Sequence, residues 1–240
     1  MSPSELFNLD GRVALVTGGS RGLGKQSALS LAKEGCKVSL CARNIDELEN
    51  VVSDLRKNGY DALGIEADVT TVQGIETFYE KSVNAFGQVN IVVNNVGGTI
   101  GGRDFDTTTD EDWMNTINLN LMSAVRLTRL VLPEMKQRHW GRIVNITSGT
   151  VSLGSANYLH YITSKFAMIG MTRSMARELG PWNITVNTFW PGIIKTEIPR
   201  PSAPDKVFEM FRKQQCFSRL TTIDDLAKPM FFFAPRKKIL

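Results

Sequence analysis

The chain is poor in cysteine, and its few cysteines follow no pattern. Only Cys36, Cys41 and Cys216 occur among the 240 residues, and their spacing is not that of a metal site. We therefore expect no bound metal. An odd number of unpatterned cysteines indicates reduced thiols and not a disulfide framework, which predicts a cytoplasmic location.

Long apolar runs are also absent from the sequence. No run is long enough to span a bilayer, and residues 1–10 lack the basic-then-apolar pattern of a leader. We therefore expect neither a membrane association nor a targeting segment. The sequence shows no internal repeat and no low-complexity linker, and its length suits a single domain over residues 1–240.

The charge distribution does not predict a nucleic-acid partner. The formal net charge is +4, and the basic residues are scattered apart from a cluster at residues 236–238. A scattered excess of this size permits an anionic ligand, and the cluster is interpreted as a solvated tail. Hydrophobic residues make up 42% and charged residues 22% of the chain, which is typical of a globular protein.

Short apolar runs alternate with helical patterns along the chain. The runs are predicted to be six strands, at residues 12–17, 37–42, 60–67, 89–93, 142–147 and 184–189. The alternation predicts an α/β fold, a doubly wound, Rossmann-like parallel sheet with helices on both faces. Residues 110–137 are predicted to form one long helix, and the proline-bearing residues 195–220 a mobile lid over the substrate.

A glycine-rich turn follows the first predicted strand and precedes a helical pattern at residues 25–34. Glycines allow the backbone to approach a pyrophosphate closely, and a helix N-terminus offers it unpaired N–H groups. We therefore predict that this turn binds a dinucleotide, although a plain tight turn is the alternative. The predicted binding residues are Thr17, Gly18, Ser20, Arg21, Gly22, Leu23 and Gly24.

The end of the second predicted strand indicates which dinucleotide is bound. An NAD-binding site would carry an acidic residue there, but this strand runs into Arg43 and Asn44. A guanidinium binds a 2′-phosphate through charge-assisted hydrogen bonds, and Arg21 could approach the same phosphate. The sequence therefore favours NADP(H) over NAD(H). The alternative is that Arg43 begins the next helix on a solvated face.

Other chemically capable residues also follow strand ends. Asp68, Asn94, Ser148 and the pair Pro191-Gly192 each lie at or just after the carboxyl end of a predicted strand. In an open parallel sheet these ends share one edge, which forms the ligand crevice. Asp68 could accept a hydrogen bond from an adenine amino group, cap the helix after Thr71, or do both.

A tyrosine and a lysine four residues apart follow Ser148. Positions i and i+4 share a helix face, so Tyr161 and Lys165 can point into one site. A lysine about 4 Å away favours the phenolate by about 4 kcal/mol at an effective dielectric near 20. This lowers a tyrosine pKa of about 10 by roughly 3 units, which permits proton transfer near neutral pH. The alternative is a chance pair on a solvated helix.

Together these motifs resemble the short-chain dehydrogenase/reductase family, from about residue 8 to residue 234. The resemblance implies hydride transfer between a nicotinamide and a carbonyl or secondary alcohol. The matching motifs are Thr17-Gly18-x-x-x-Gly22-x-Gly24, Asp68-Val69, Asn94-Asn95-Val96-Gly97, Ser148, Tyr161-x-x-x-Lys165 and Pro191-Gly192-Ile193-Ile194-x-Thr196.

The resemblance also implies a role for each site residue. Tyr161 would be the acid/base, Lys165 would lower its pKa and bind the nicotinamide ribose, and Ser148 would orient the substrate oxygen. The active-site asparagine of the family lies thirteen residues before Pro133, which selects Asn120 over Asn118 and completes the catalytic set. The remaining cofactor contacts that it implies are Asp68, Val69, Asn94, Ile194 and Thr196.

The chain departs from the family pattern at its end. A last strand usually follows the residue-224 helix, but the sequence stops after residues 231–240, so we expect the seventh strand to be absent. A homodimer through the helices that carry Asn120 and Tyr161 is therefore expected, and a tetramer is not. An NADP(H)-binding protein with little or no catalysis is the alternative function.

The nearest pattern within the family is that of 3-oxoacyl-acyl-carrier-protein reductases, which implies an acyl thioester as the carbonyl substrate. A sugar, a steroid or a small ketone is the alternative. Arg138 suits a basic docking surface for the carrier, but Trp182 occupies the second position where an arginine is expected.

Overall fold

The structure is a computed structural model that describes residues 9–99, 101–196, 205–217 and 219–225. Within these ranges the chain forms a six-stranded sheet in the order β3-β2-β1-β4-β5-β6, and every neighbouring pair is parallel. The predicted doubly wound sheet is thereby confirmed. The strands are β1 (Val13–Thr17), β2 (Lys37–Ala42), β3 (Ala62–Glu66), β4 (Ile91–Asn94), β5 (Gly141–Ile146) and β6 (Ile184–Phe189).

Helices connect the strands and cover both faces of the sheet. They are α1 (Gly22–Lys33), α2 (Ile45–Lys57), α3 (Val72–Phe86), α4 (Asp110–Ile117), α5 (Ser123–Gln137), α6 (Thr150–Leu153), α7 (Leu159–Leu179) and α8 (Asp205–Gln214). A π-helical turn (Asn118–Met122) joins α4 to α5. Among the described residues, no helix combines the length and apolar character needed to cross a bilayer.

The core has two layers because both faces of the central strands are buried. Side chains alternate along a strand, so Val16 of β1 packs on the side of α1 and α2, whereas Leu15 packs with Phe78 of α3 and Leu127 of α5. All five residues of β1 are buried. Such near-continuous apolar strands are typical of a parallel sheet covered on both faces.

Local sequence explains where several helices begin. The side chain of Asn44 accepts a hydrogen bond from the Glu47 amide at the start of α2. Thr109 and Asp112 form a reciprocal capping box at the start of α4.

The prediction of one helix over residues 110–137 was wrong in one respect. The segment is helical, but its middle widens into the π-helical turn, where the Ser123 amide donates to the Asn118 carbonyl five residues earlier. Such turns are rare and occur often at functional sites. The predicted absence of a seventh strand falls on residues 226–240, which lie outside the described residues. The predicted lid lies partly outside them, and its described portion contains α8.

Candidate active site

The strand order brings the predicted site residues to one edge of the sheet. The order reverses between β1 and β4, because β2 and β3 lie on one side of β1 and β5 and β6 on the other. In open α/β sheets this switch point, at the carboxyl ends of the strands, is where ligands bind. The glycine-rich turn after β1 and the loop after β4 therefore face each other across the crevice.

Hydrogen bonds fix these two loops to one another. The Thr17 hydroxyl oxygen accepts from the amides of Asn95 and Val96, each at 3.0 Å. The Asn95 side-chain amide donates to the carbonyls of Thr17 at 2.8 Å and Gly18 at 3.2 Å. Thr17 is itself buried. Its side chain therefore supports the backbone of the glycine turn that follows it.

The turn is packed too tightly for larger residues. A Cβ on Gly24 would collide with the Gly18 carbonyl oxygen and would lie 2.6 Å from the Asn95 side-chain nitrogen. Gly18 has a φ of 68°, in the left-handed region that favours glycine. Arg21 at the N-cap of α1 makes no side-chain cap hydrogen bond, and the first turn has no acidic residue. This helix start suits an anionic group such as a pyrophosphate.

Two arginines lie near this helix start. The Cys41 carbonyl accepts from the amides of Gly18 and Gly19 at 2.9 and 3.0 Å, which holds the turn against the end of β2. Arg43 follows two residues later, outside α2, and both Arg21 and Arg43 are exposed. Neither guanidinium forms an ion pair within the described ranges. Ser20 and Leu23 of the turn are half-buried.

Asp68 and Val69 follow β3 at the same edge. One Asp68 carboxylate oxygen accepts from the Thr70 amide at 2.9 Å and the Thr70 hydroxyl at 2.8 Å. Thr71 is the N-cap of α3, since its hydroxyl oxygen accepts from the Gly74 amide at 3.0 Å. The carboxylate of Asp68 therefore organises the loop, and Thr71 caps the helix. Val69 is buried.

Asn94 lies deeper than expected for a cofactor contact. Its side chain is buried at the end of β4 and donates to Asn145 at 2.8 Å and to Thr128 at 3.3 Å. The next residue, Asn95, is the one whose side chain reaches the glycine turn. Asn95 belongs to the motif Asn94-Asn95-Val96-Gly97 but is not among the predicted site residues, because adjacent residues cannot be distinguished before the strand end is known.

Lys165 is the most unusual charged residue of the site. Lys165 lies on α7 and is only 2% exposed to solvent. Its ammonium donates a hydrogen bond to the Ile146 carbonyl at 2.9 Å. Burial lowers the pKa of Lys165 to about 8. Its Nζ lies 6.0 Å from the ring centroid of Tyr161, which is half-buried. This lysine is therefore not part of a solvated helix face.

Asn120 lies in the π-helical turn and is fully buried. Its side-chain oxygen accepts from the Gly98 amide at 2.8 Å, and its amide donates to the Gly98 carbonyl at 2.9 Å and the Ser164 hydroxyl at 3.0 Å. A Cβ on Gly97 would collide with the Lys165 ammonium and lie 2.7 Å from the Asn120 oxygen. Lys165, Asn120 and the loop after β4 are thus in direct contact.

Ser164, Gly97 and Gly98 are not among the site residues predicted from the sequence. Ser164 precedes Lys165 on α7, and its hydroxyl also donates to the Tyr161 carbonyl at 2.7 Å. No spacing rule marked it, because its role depends on contact with a residue 44 positions away. Gly97 belongs to the motif that follows β4. That only a glycine fits there becomes visible when Lys165 and Asn120 pack against it.

Ser148 and the loop after β6 complete the arrangement. The Ser148 hydroxyl lies 2.8 Å from the Thr150 hydroxyl. The Gly149 amide donates to the Pro191 carbonyl at 2.9 Å, which joins the loops after β5 and β6. Of the two residues predicted to contact the nicotinamide, Ile194 is buried and Thr196 is half-buried. Among the described residues, no group of three or more acidic, histidine or cysteine side chains could hold a metal ion.

A family model and several known proteins match this chain. The family model described as short chain dehydrogenase matches residues 12–206. The 3-oxoacyl-(acyl-carrier-protein) reductase FabG of Pseudomonas aeruginosa is 37% identical over 230 residues, which cover 95% of this chain and 92% of the relative. The (2S)-((R)-hydroxy(phenyl)methyl)succinyl-CoA dehydrogenase subunit BbsD of Thauera aromatica is 34% identical over 228 residues, which cover 95% of this chain and 91% of that relative.

A solved structure shares the fold as well. The 7α-hydroxysteroid dehydrogenase complexed with NADH and 7-oxo glycochenodeoxycholic acid superposes with a TM-score of 0.90 at 31% identity, over 98% of this chain and 91% of that one. The doubly wound sheet and its strand-end site thus define an oxidoreductase that acts on a carbonyl or alcohol group. The chain belongs to the short chain dehydrogenase family. Its relatives within that family include reductases of 3-oxoacyl groups.

Proposed function

We propose that this protein is an NADP(H)-dependent oxidoreductase in which Tyr161 is the acid/base. The observation that carries the proposal is the buried Lys165 ammonium, which lies 6.0 Å from the centroid of the Tyr161 ring. Among the described residues, its hydrogen-bond partners include no carboxylate. A buried cation stabilises a nearby phenolate more strongly than a solvated one does. A protein that only bound a nucleotide would have no use for such a pair, so catalysis is favoured over the binding-only alternative.

The residues of the crevice fit a nicotinamide dinucleotide. The closely packed glycine turn and the uncapped start of α1 would hold the pyrophosphate, and Asp68 would receive the adenine end. Ile194 and Thr196 would contact the carboxamide. When bound, the nicotinamide supplies or accepts the hydride.

Side chains of the protein would donate the proton and hold the substrate oxygen. In reduction, Tyr161 would donate a proton to the carbonyl oxygen, and the Lys165 charge would stabilise the phenolate that remains. Ser148 would donate a hydrogen bond to the same substrate oxygen. Asn120 would hold the Gly98 backbone and the Ser164 hydroxyl, and thereby keep α7 and the loop after β4 at a fixed separation.

The preference for the phosphorylated dinucleotide rests on Arg21 and Arg43. Both guanidiniums are exposed beside the glycine turn, and neither has an acidic partner within the described residues. Guanidiniums in this condition are suited to a 2′-phosphate, whereas the 2′-hydroxyl of NAD would require an acceptor at the end of β2.

The substrate is proposed to be a carbonyl compound, with an acyl thioester as the favoured class. FabG and BbsD are named for substrates linked to acyl carrier protein or coenzyme A, whereas the hydroxysteroid dehydrogenase is named for a steroid. Arg138 is a poor docking residue for a carrier, because its side chain is only 17% exposed and pairs with Glu134 at 3.7 Å. If a carrier binds, other basic residues must contact it.

Three further expectations accompany this function. The assembly is proposed to be a homodimer through α5 and α7, and the exposed Phe166 on α7 would be covered there. A tetramer is not expected. The reduced thiols of Cys36 and Cys41, both buried, suit the predicted cytoplasmic location. Residues 195–220 are proposed to act as a substrate lid.

The test is NADPH oxidation against ketones and 3-oxoacyl thioesters, with Tyr161→Phe and Tyr158→Phe compared with the unmodified protein. The Tyr158 ring lies 6.5 Å from the Tyr161 ring, so it is a matched control for the loss of one phenol hydroxyl. Tyr161→Phe should lower kcat at least about 100-fold, since it removes the proton donor. Tyr158→Phe should change kcat less than about threefold. Equal losses in the two variants would contradict the assigned role.

A further inference from the structure

The π-helical turn carries a second asparagine that faces away from the active-site contacts. Asn118 begins the turn, and Asn120 follows two residues later. The Asn120 side chain contacts Gly98 and Ser164. The Asn118 side chain instead donates to the Thr70 carbonyl at 2.9 Å, in the loop after β3. The turn is therefore held from both sides.

Arg126, Asn118 and Thr70 form a triangle of hydrogen bonds. One terminal nitrogen of its guanidinium, Nη1, donates to the Asn118 side-chain oxygen at 2.6 Å and to the Thr70 carbonyl at 3.1 Å. The side chain is half-buried on α5 and forms no ion pair with any acidic residue in the described part of the chain. Its positive charge is thus directed at two neutral oxygens, which strengthens both hydrogen bonds.

Thr70 also connects the triangle to Asp68, in the loop that would bind the adenine. The Thr70 amide and hydroxyl both donate to the Asp68 carboxylate, at 2.9 and 2.8 Å. Every link from Asp68 through Thr70 to Asn118 is therefore a direct hydrogen bond of 2.9 Å or less. Asn118 then shares a five-residue turn with Asn120, so a displacement of one displaces the other.

We propose that Arg126 and Asn118 are positioning residues that transmit occupancy of the Asp68 loop to Asn120. This inference rests on the proposed function, since it takes the Asp68 loop as the adenine site. A π-helical turn is less favourable than a regular helix, so it requires contacts that hold it open. The triangle supplies such contacts on one side, and a ligand that orders the Asp68 loop would strengthen them.

Adenosine 2′,5′-bisphosphate is the probe that separates the two ends of the site. It carries the adenine half of NADPH and no nicotinamide, so it cannot touch Asn120 directly. Its binding to the complete protein is measured by calorimetry, and amide hydrogen exchange is followed at Asn118–Met122. We expect bound probe to slow exchange in this turn at least about fivefold, the lower end of typical coupling between sites.

Arg126→Met should remove this protection while the probe still binds. Arg129→Met is the matched control, because Arg129 is an exposed arginine one turn further along α5. It should retain the protection of the unmodified protein, and Arg126→Lys should restore part of it because an ammonium can still donate to both oxygens. Asn118→Ala should behave like Arg126→Met.

A kinetic comparison provides a second readout. Reduced nicotinamide mononucleotide lacks the adenine half, so turnover with it should not depend on the triangle. Arg126→Met should therefore lower the ratio of kcat with NADPH to kcat with the mononucleotide by about fivefold or more. A residue that only stabilises the fold would lower both kcat values equally and leave the ratio unchanged.

The outcomes separate this inference from the function on which it rests. Probe binding without protection of the turn, or equal protection in Arg126→Met, overturns the coupling and leaves the proposed function intact. Absence of probe binding overturns both the adenine site and the coupling. Turnover lost in Tyr161→Phe, together with an unchanged kcat ratio in Arg126→Met, supports the function alone and rejects the positioning role.

Discussion

Gly97 is the position where a single added methyl group should disturb the site most. A Cβ there would collide with the Lys165 ammonium, and it would lie 2.7 Å from the Asn120 side-chain oxygen and 3.1 Å from Lys165 Cε. Ordinary contacts with a Cβ are 3.4–4 Å, so both side chains would have to move. A Cβ on Gly98, the next residue, would have no atom of the described residues within 4 Å.

The size of the effect follows from these distances. Relief of the overlap in Gly97→Ala requires displacements of roughly 0.5–1 Å, and a misplacement of about 1 Å can lower turnover about 100-fold. Overpacking should also lower the free energy of unfolding by about 1–3 kcal/mol. Gly98→Ala should change kcat by less than about threefold, because its methyl group meets no atom of the described residues within 4 Å.

The assay is kcat for NADPH-dependent carbonyl reduction, with thermal unfolding measured in parallel. Loss of turnover in folded Gly97→Ala, with near-normal turnover in Gly98→Ala, is the expected pattern. The reasoning is refuted if Gly97→Ala keeps full activity, since Lys165 and Asn120 would then tolerate displacement. It is also refuted if both alanine variants lose activity equally, because the clash is specific to Gly97.

Two further predictions concern charge. Arg43→Ala should raise KM for NADPH about 10-fold or more, because charge-assisted hydrogen bonds to the 2′-phosphate are lost. It should change KM for NADH less than about twofold. Lys57→Ala is the control, because Lys57 is an exposed cation at the far end of α2. Equal changes for both cofactors would contradict the phosphate contact. Burial lowers the pKa of Lys165 from 10.5 to about 8 in the folded chain. Between pH 8 and pH 10.5 the unfolded state therefore binds more protons than the folded state, so the free energy of unfolding rises with pH. In urea unfolding without cofactor, the stability of the unmodified protein relative to Lys165→Met should therefore increase by about 2 kcal/mol from pH 7.5 to pH 10; a difference that does not vary with pH would contradict the burial effect.

Much of the fold could be predicted because local patterns carry it. The bounds predicted for β2 and β6 agree with the structure, since apolar runs mark those elements. The π-helical turn within residues 110–137 could not be predicted. A shift from i+4 to i+5 hydrogen bonding changes the helix locally without changing the apolar periodicity on which the prediction rested.

The site was predicted as a set of positions, but not as a set of contacts. Asp68 follows a strand as expected, yet Thr71 caps α3 and the carboxylate binds Thr70. Arg138 was selected for a docking surface from its position in the sequence. In the structure it pairs with Glu134, because α5 places the two residues one turn apart.

The sequence by itself determined the alternation of strands and helices and the residues that follow each strand. These features depend on short-range periodicity and on glycine, which act over a few neighbouring positions. Only the tertiary structure decided that Asn95, and not Asn94, reaches the glycine turn, and that Lys165 is buried. The Asn95 contact joins residues 78 positions apart, and the burial of Lys165 requires β5 and α7 to pack together. Such contacts are set by the packing of whole elements, which no local pattern records.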